Sequence, residues 1–156
     1  MTVKQQPNSN HCFVCGLQNE HGLQLIFFDN GEDRVWCEYS VPEGFQGFPG
    51  ITHGGIAASI LDEVCGRVCM ISDPNHFMMT VKMEVKYRQP VPVGVLLRAE
   101  GTLIKQKGRL VQARGELKLP DNSVAVEADM LLADLPQDVM PVDGQLLADL
   151  GWRVHD

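Results

Sequence analysis

The segment Ile56–Ile71 limits what this chain can fold into more than any other. Its apolar residues fall at 56, 57, 60, 61, 64, 65, 68 and 71, the spacing of a helix face. Ala57 and Ala58 favour helix, and Pro74 ends it. Few large polar side chains interrupt it, so the helix must be covered on most sides. The covering material is strand-like. A short apolar run (Leu23–Phe28) and an alternating segment (Arg34–Val41) precede the helix, joined by a hairpin connection over 29–33. Four further strands follow: Thr80–Arg88, Val95–Gln106, Arg109–Leu119 and Val124–Leu132. In the first of these Val81, Met83, Val85 and Tyr87 alternate with Thr80, Lys82, Glu84, Lys86 and Arg88, which predicts two opposite faces. One helix with a meander of strands predicts an α+β fold, an antiparallel sheet wrapped around one long central helix, with association at a sheet edge or face.

The chain of 156 residues is one domain's length. We expect a core over about 22–133, an N-terminal extension over 1–21 that starts polar and loose, and a C-terminal tail over 134–156 with a helix near 143–150. The longest clean apolar runs, such as Ile56–Leu61, are far short of the roughly 20 residues that span a bilayer. The opening MTVKQQPNSN has no signal-like apolar stretch. Five cysteines without an export signal read as reduced thiols, so the expected compartment is cytoplasmic, with no membrane partner. Thirteen basic against twenty acidic residues leave a net charge of −7, which argues against nucleic-acid binding. Between Lys82 and Lys118, however, nine basic residues face three acidic ones. Such a local excess suits a small polyanionic ligand.

The chemistry-bearing stretch is Phe45–Glu63. Gly54 and Gly55 open the buried helix, permit close approach of a ligand, and leave N–H groups at the positive end of the helix dipole. That end can stabilise an oxyanion. Asp62 lies seven residues after Gly55, about two turns along the same face. An acid on an apolar helix needs a function or a partner. Glu63 points about 100° away and reads as a solvated or ion-paired acid. Cys12 and Cys15 form a CxxC, but structural zinc takes four ligands, and Cys37, His21 or His76 would have to join them. No metal site is expected.

His53-Gly54-Gly55 with Asp62 nine positions after the histidine, followed by Thr80–Tyr87 and Pro90-Val91-Pro92-Val93-Gly94, resembles the hot-dog-fold acyl-CoA thioesterases, in particular their phenylacetyl-CoA thioesterase-like (PaaI-like) branch. The resemblance covers about residues 22–133. It implies hydrolysis of an acyl-CoA to free acid and CoA, with no cofactor, since CoA is part of the substrate. By this resemblance Asp62 is general base or nucleophile and the Gly55 N–H is the oxyanion donor. Thr80 places the water, His53 orients the loop or binds near the thioester, and Gln46 lies near the thioester. Gly54 lines the approach, and Lys105, Lys107, Gly108 and Arg109 meet the CoA phosphates. Asp62 and Gly55 would come from opposite subunits of a homodimer or of a dimer of dimers. Two alternatives stay open: a hot-dog enoyl-thioester hydratase or dehydratase, and a non-catalytic acyl-CoA-binding module.

Overall fold

The computed structural model describes residues 2–156; Met1, the first residue of the expected N-terminal extension, lies outside the described residues. Seven strands form one antiparallel sheet: β1 (Lys4–Gln5), β2 (Phe28–Asp29), β3 (Arg34–Ser40), β4 (Met78–Tyr87), β5 (Leu96–Lys107), β6 (Leu110–Lys118) and β7 (Val124–Asp134). Their order across the sheet is β1-β2-β3-β5-β6-β7-β4. Helix α1 (Gly54–Gly66) lies on the sheet, and a short α2 (Gly144–Leu150) closes the chain. The expected architecture is therefore the one observed.

The helix reaches the sheet through two glycines. Gly101 and Gly115 are cross-strand partners on β5 and β6. A Cβ on Gly101 would lie 2.6 Å from the Val64 carbonyl oxygen, and one on Gly115 would lie 2.8 Å from Cys65 Sγ. Only a strand without a side chain at these points admits the backbone of α1 so closely. Around this contact Ile60, Leu61, Val64 and Cys65 of α1 are buried against Leu97, Ala99, Leu117, Val126 and Leu132 of the sheet. The helix begins two residues earlier than its apolar pattern, since Gly54 and Gly55 form its first turn. It ends at Gly66, and Val68–Ile71 continue as a 3₁₀ turn.

The simple alternation read for Thr80–Arg88 is broken by a bulge. Thr80 pairs with Leu132 and Lys82 with Leu131, so Val81 is an extra residue. An extra residue inverts the parity of the strand. Thr80 is thereby placed on the α1 side, with Met83, Val85 and Tyr87, opposite the buried Leu132, Met130, Ala128 and Val126. Val81 itself is 56% exposed. The strand read at Leu23–Phe28 shrinks to Phe28–Asp29, while Leu23, Leu25 and Phe27 are buried outside any strand.

From Lys4 on, the N-terminal segment is not loose. Lys4–Gln5 pair with Phe28–Asp29, Gln6 donates its backbone N–H to Phe27, and Asn8 bridges to Arg153. Gln6, Asn8 and Ser9 are buried. Arg67, 1% exposed at the end of α1, holds this segment in place. Its Nη1 donates to the Pro7 carbonyl at 2.8 Å, its Nε donates to Glu63 at 3.0 Å, and its guanidinium stacks over Phe27. No polar-composition signal predicts that a buried arginine will anchor a polar terminus.

Candidate functional site

The loop before α1 folds back on itself. Gln46 and Thr52 form an antiparallel bridge, and the Gln46 Oε1 accepts from the Gly50 N–H at 3.0 Å. The side chain of Gln46 is therefore used to close its own turn. His53 caps α1: its Nδ1 accepts from the Gly55 N–H at 2.9 Å. Accepting at Nδ1 places the proton of the neutral ring on Nε2. The Gly55 N–H, which sequence reasoning assigned to a ligand, is thus satisfied within the chain by His53. The Gly54 carbonyl accepts from the Tyr87 hydroxyl at 2.8 Å. Tyr87 belongs to the face that the alternation assigned, but its role in pinning the helix start was not visible in the sequence. A cavity of about 390 Å³ lies here, lined by Phe48, Ile51, Gly54, Tyr87 and Val91 among others. Phe48 stands 82% exposed at its rim.

Two turns further along α1, Asp62 Oδ1 accepts from Thr80 Oγ1 at 2.6 Å. The bulge at Val81 makes this contact possible by turning Thr80 toward the helix. The other carboxylate oxygen of Asp62 has no hydrogen bond among the described residues. Asp62 and Gly55 are about 10 Å apart along the axis, from their seven-residue spacing and a rise of 1.5 Å per residue. One chain therefore does not bring both to a single carbonyl group.

Lys105, Lys107, Gly108 and Arg109 sit at the exposed β5–β6 hairpin. Gln106, Val111, Leu132 and Thr80 form one row across the sheet, so the hairpin is at the Thr80 end. Tyr87 and the start of α1 are at the other end, about 20 Å away along the strand. The structure thus groups Asp62, Thr80 and the basic hairpin on one side, and Gln46, His53, Gly54 and Gly55 on the other. Much of the basic excess is internally paired. Arg88 and Arg114 bind Glu127, while Arg98 and Lys118 bind Glu100. Lys105, Lys107 and Arg109 make no ion pair among the described residues.

Glu63, next to Asp62, points to the opposite side and joins Arg67, Cys12 and Cys15. Burial pushes its carboxyl up to about 7, against the opposing pull of Arg67. A hydrogen bond from Cys15 holds the Cys12 thiol down to about 6, while the same bond and burial push Cys15 up to about 12. The ligands that would have completed a CxxC metal site in the sequence reading, Cys37, His21 or His76, do not join this cluster; Glu63 does.

Residues 49–126, half of the chain, match the thioesterase superfamily profile. The chain belongs to the thioesterase superfamily. Its antiparallel sheet around α1 is the hot-dog arrangement seen in solved thioesterases. One solved thioesterase superfamily protein is 27% identical, with a TM-score of 0.73, covering 80% of this chain and 61% of that one. The Escherichia coli PaaI protein, from the phenylacetic acid degradation operon, superposes with a TM-score of 0.65 at 14% identity, over 73% of this chain and 81% of that one. Among curated relatives, acyl-coenzyme A thioesterase THEM4 of Rattus norvegicus is 29% identical over 91 residues. The match takes in 58% of this superfamily member and 38% of the rat protein, so the chain spans well under half of that relative's length. No helix among the described residues is long and apolar enough to cross a membrane.

Proposed function

We propose that this protein hydrolyses an acyl-CoA thioester to the free carboxylic acid and CoA, at a site shared between two copies of the chain. The observation that carries the proposal is the Thr80–Asp62 hydrogen bond of 2.6 Å. It fixes a carboxylate on an otherwise apolar helix face and leaves its second oxygen open to water or to the thioester carbon. Asp62 then acts as general base on water or as the nucleophile itself. Thr80 holds the reacting carboxylate in register. The names of the curated relatives, acyl-coenzyme A thioesterases, support the substrate class.

The oxyanion donor is the Gly55 N–H of the second copy, at the positive end of its α1. Its present acceptor is a side chain, His53 Nδ1, which can rotate away, and Nε2–H is then a further donor near the thioester. Gln46 shapes this loop by holding Gly50, and Gly54 keeps the approach open beside Tyr87. The exposed Lys105, Lys107 and Arg109, at the Gly108 turn, take the CoA phosphates. They lie at the Asp62 end of the same chain, which fits a ligand that runs between copies. The unpaired edge of β4, with Met79, Val81 and Tyr87 exposed, supports pairing of two copies there.

The test is thiol release from a panel of acyl-CoAs: acetyl, hexanoyl, palmitoyl, phenylacetyl and benzoyl. Turnover of at least one ester is expected. Water addition to a crotonyl thioester without thiol release would favour a hydratase instead. Tight CoA-ester binding with no turnover would favour a binding module.

A further inference from the structure

The N-terminal CxxC meets helix α1 at a point the hydrolytic scheme does not use. Cys12 Sγ, Cys15 Sγ and a Glu63 carboxylate oxygen all lie within 4.8 Å of one another. Two sulfurs bound tetrahedrally at about 2.3 Å from one zinc ion are separated by about 3.8 Å, so the cluster is near the size of a zinc ligand set. We propose that Cys12, Cys15 and Glu63 hold one zinc ion, with water in the fourth position, and that the ion fastens the N-terminal segment to the helix carrying Asp62.

Four observations lead to this ligand. The turn around the sulfurs is built: the Val14 N–H donates to Cys12 Sγ at 3.3 Å and the Cys15 N–H at 3.5 Å. Backbone donors aimed at a sulfur favour its thiolate, the form that binds metal. Gly16 closes the turn by donating to the Cys12 carbonyl at 2.8 Å, and a Cβ there would lie 2.4 Å from that oxygen. No other residue type fits without moving the turn.

The carboxylate is oriented as well. Arg67 Nε donates to Glu63 Oε1, leaving Oε2 for the metal. Such an outer partner is what fixes a ligating carboxylate in known metal sites.

The charges also close. Two thiolates and a carboxylate carry three negative charges. A zinc ion and the buried Arg67 guanidinium carry three positive ones. A buried cluster that sums to neutrality avoids the cost of isolated charge.

Finally, the donor set selects the ion. Thiolate sulfur is soft and suits zinc, whereas magnesium and calcium take oxygen ligands. Cys12 is half-buried and Cys15 is 2% exposed, so the ion can enter from the Cys12 side.

The experiment is titration of the full, reduced chain with Zn²⁺ against a chelating dye, with thermal unfolding followed in parallel. We expect one ion per chain, a dissociation constant below about 1 µM, and a rise in Tm on binding. Cys12→Ser and Glu63→Gln should each weaken binding by about 10-fold or more and remove the rise in Tm. Co²⁺ added to the wild type should give thiolate-to-cobalt charge-transfer absorption, a readout that needs no variant to fold. Binding weaker than about 1 µM, or binding that both substitutions leave unchanged, would overturn the proposal. So would a reduced protein that binds no metal and instead closes a Cys12–Cys15 disulfide in air, which would mark a redox pair.

Discussion

Thr80 on β4 donates to Asp62 on α1 at 2.6 Å, and it reaches the helix because Val81 bulges out of the strand. The Asp62 carboxylate is therefore positioned by an irregularity of the sheet. Bulges re-aim side chains in this way at many functional sites. The first prediction follows from the hydroxyl. Thr80→Val keeps the shape of the side chain and loses the donor, so thiol release should fall roughly 10-fold, as for loss of a hydrogen bond to a charged group. Thr80→Ser should restore most of the rate. An unchanged rate in Thr80→Val would remove Thr80 from the mechanism.

A shared site can be tested by mixing chains. Asp62→Asn and Gly55→Pro variants should each be inactive alone, the second because proline has no N–H. In a mixed dimer one site carries both substitutions and the other carries neither. Random one-to-one reassembly should then recover about one quarter of the wild-type rate. No recovery, with mixed dimers demonstrated by mass spectrometry, would contradict a site built from Asp62 of one copy and Gly55 of the other.

The packing of α1 on Gly101 gives a stability prediction. Gly101→Ala drives a Cβ against the Val64 carbonyl oxygen, 2.6 Å away. Overpacking of this kind should cost about 1–3 kcal/mol in chemical denaturation. Gly44→Ala, where nothing lies within 4 Å of the added Cβ, should change stability by about 0.5 kcal/mol or less. Equal effects would contradict the close approach of helix and sheet.

Glu100 supplies a pH dependence. Its burial raises the carboxyl pKa, but hydrogen bonds from Arg98 and Lys118 outweigh this and hold it below its ordinary 4.5. A carboxyl with a lower pKa folded than unfolded binds fewer protons when folded. Its stabilisation is present above pH 4.5 and is lost as pH falls through the lower folded value. Glu100→Gln should therefore be less stable than wild type near neutrality, and the gap should narrow below pH 4.5. A gap independent of pH would show that the ion pairs do not contribute.

The frame of this fold is legible in the sequence because it rests on periodicity. The apolar spacing from Ile56 and the alternation in Arg34–Val41 and Val124–Leu132 each mark an element that is present. The failures share a different cause. Val81 looks like one more apolar residue in an alternating strand, and alternation does not encode an insertion, so Thr80 was assigned to the wrong face. The polar opening segment carries no packing signal because its anchor, Arg67, lies about sixty residues away. Gln46 and His53, which the resemblance sets near the thioester, with loop orientation as the other role of His53, each accept from a nearby backbone N–H, a contact that residue spacing does not encode. Glu63 was separated correctly from Asp62 by its angle on the helix, but the cysteines it meets come from a loop whose path only the fold determines.

The central claim is that the Asp62 carboxylate drives thioester hydrolysis. The most direct measurement is kcat for thiol release from the best acyl-CoA of the panel, with wild type and Asp62→Asn compared at equal folded concentration. The account predicts a fall of about 100-fold or more in kcat, with an unchanged thermal unfolding curve. A variant that keeps the wild-type kcat would contradict it.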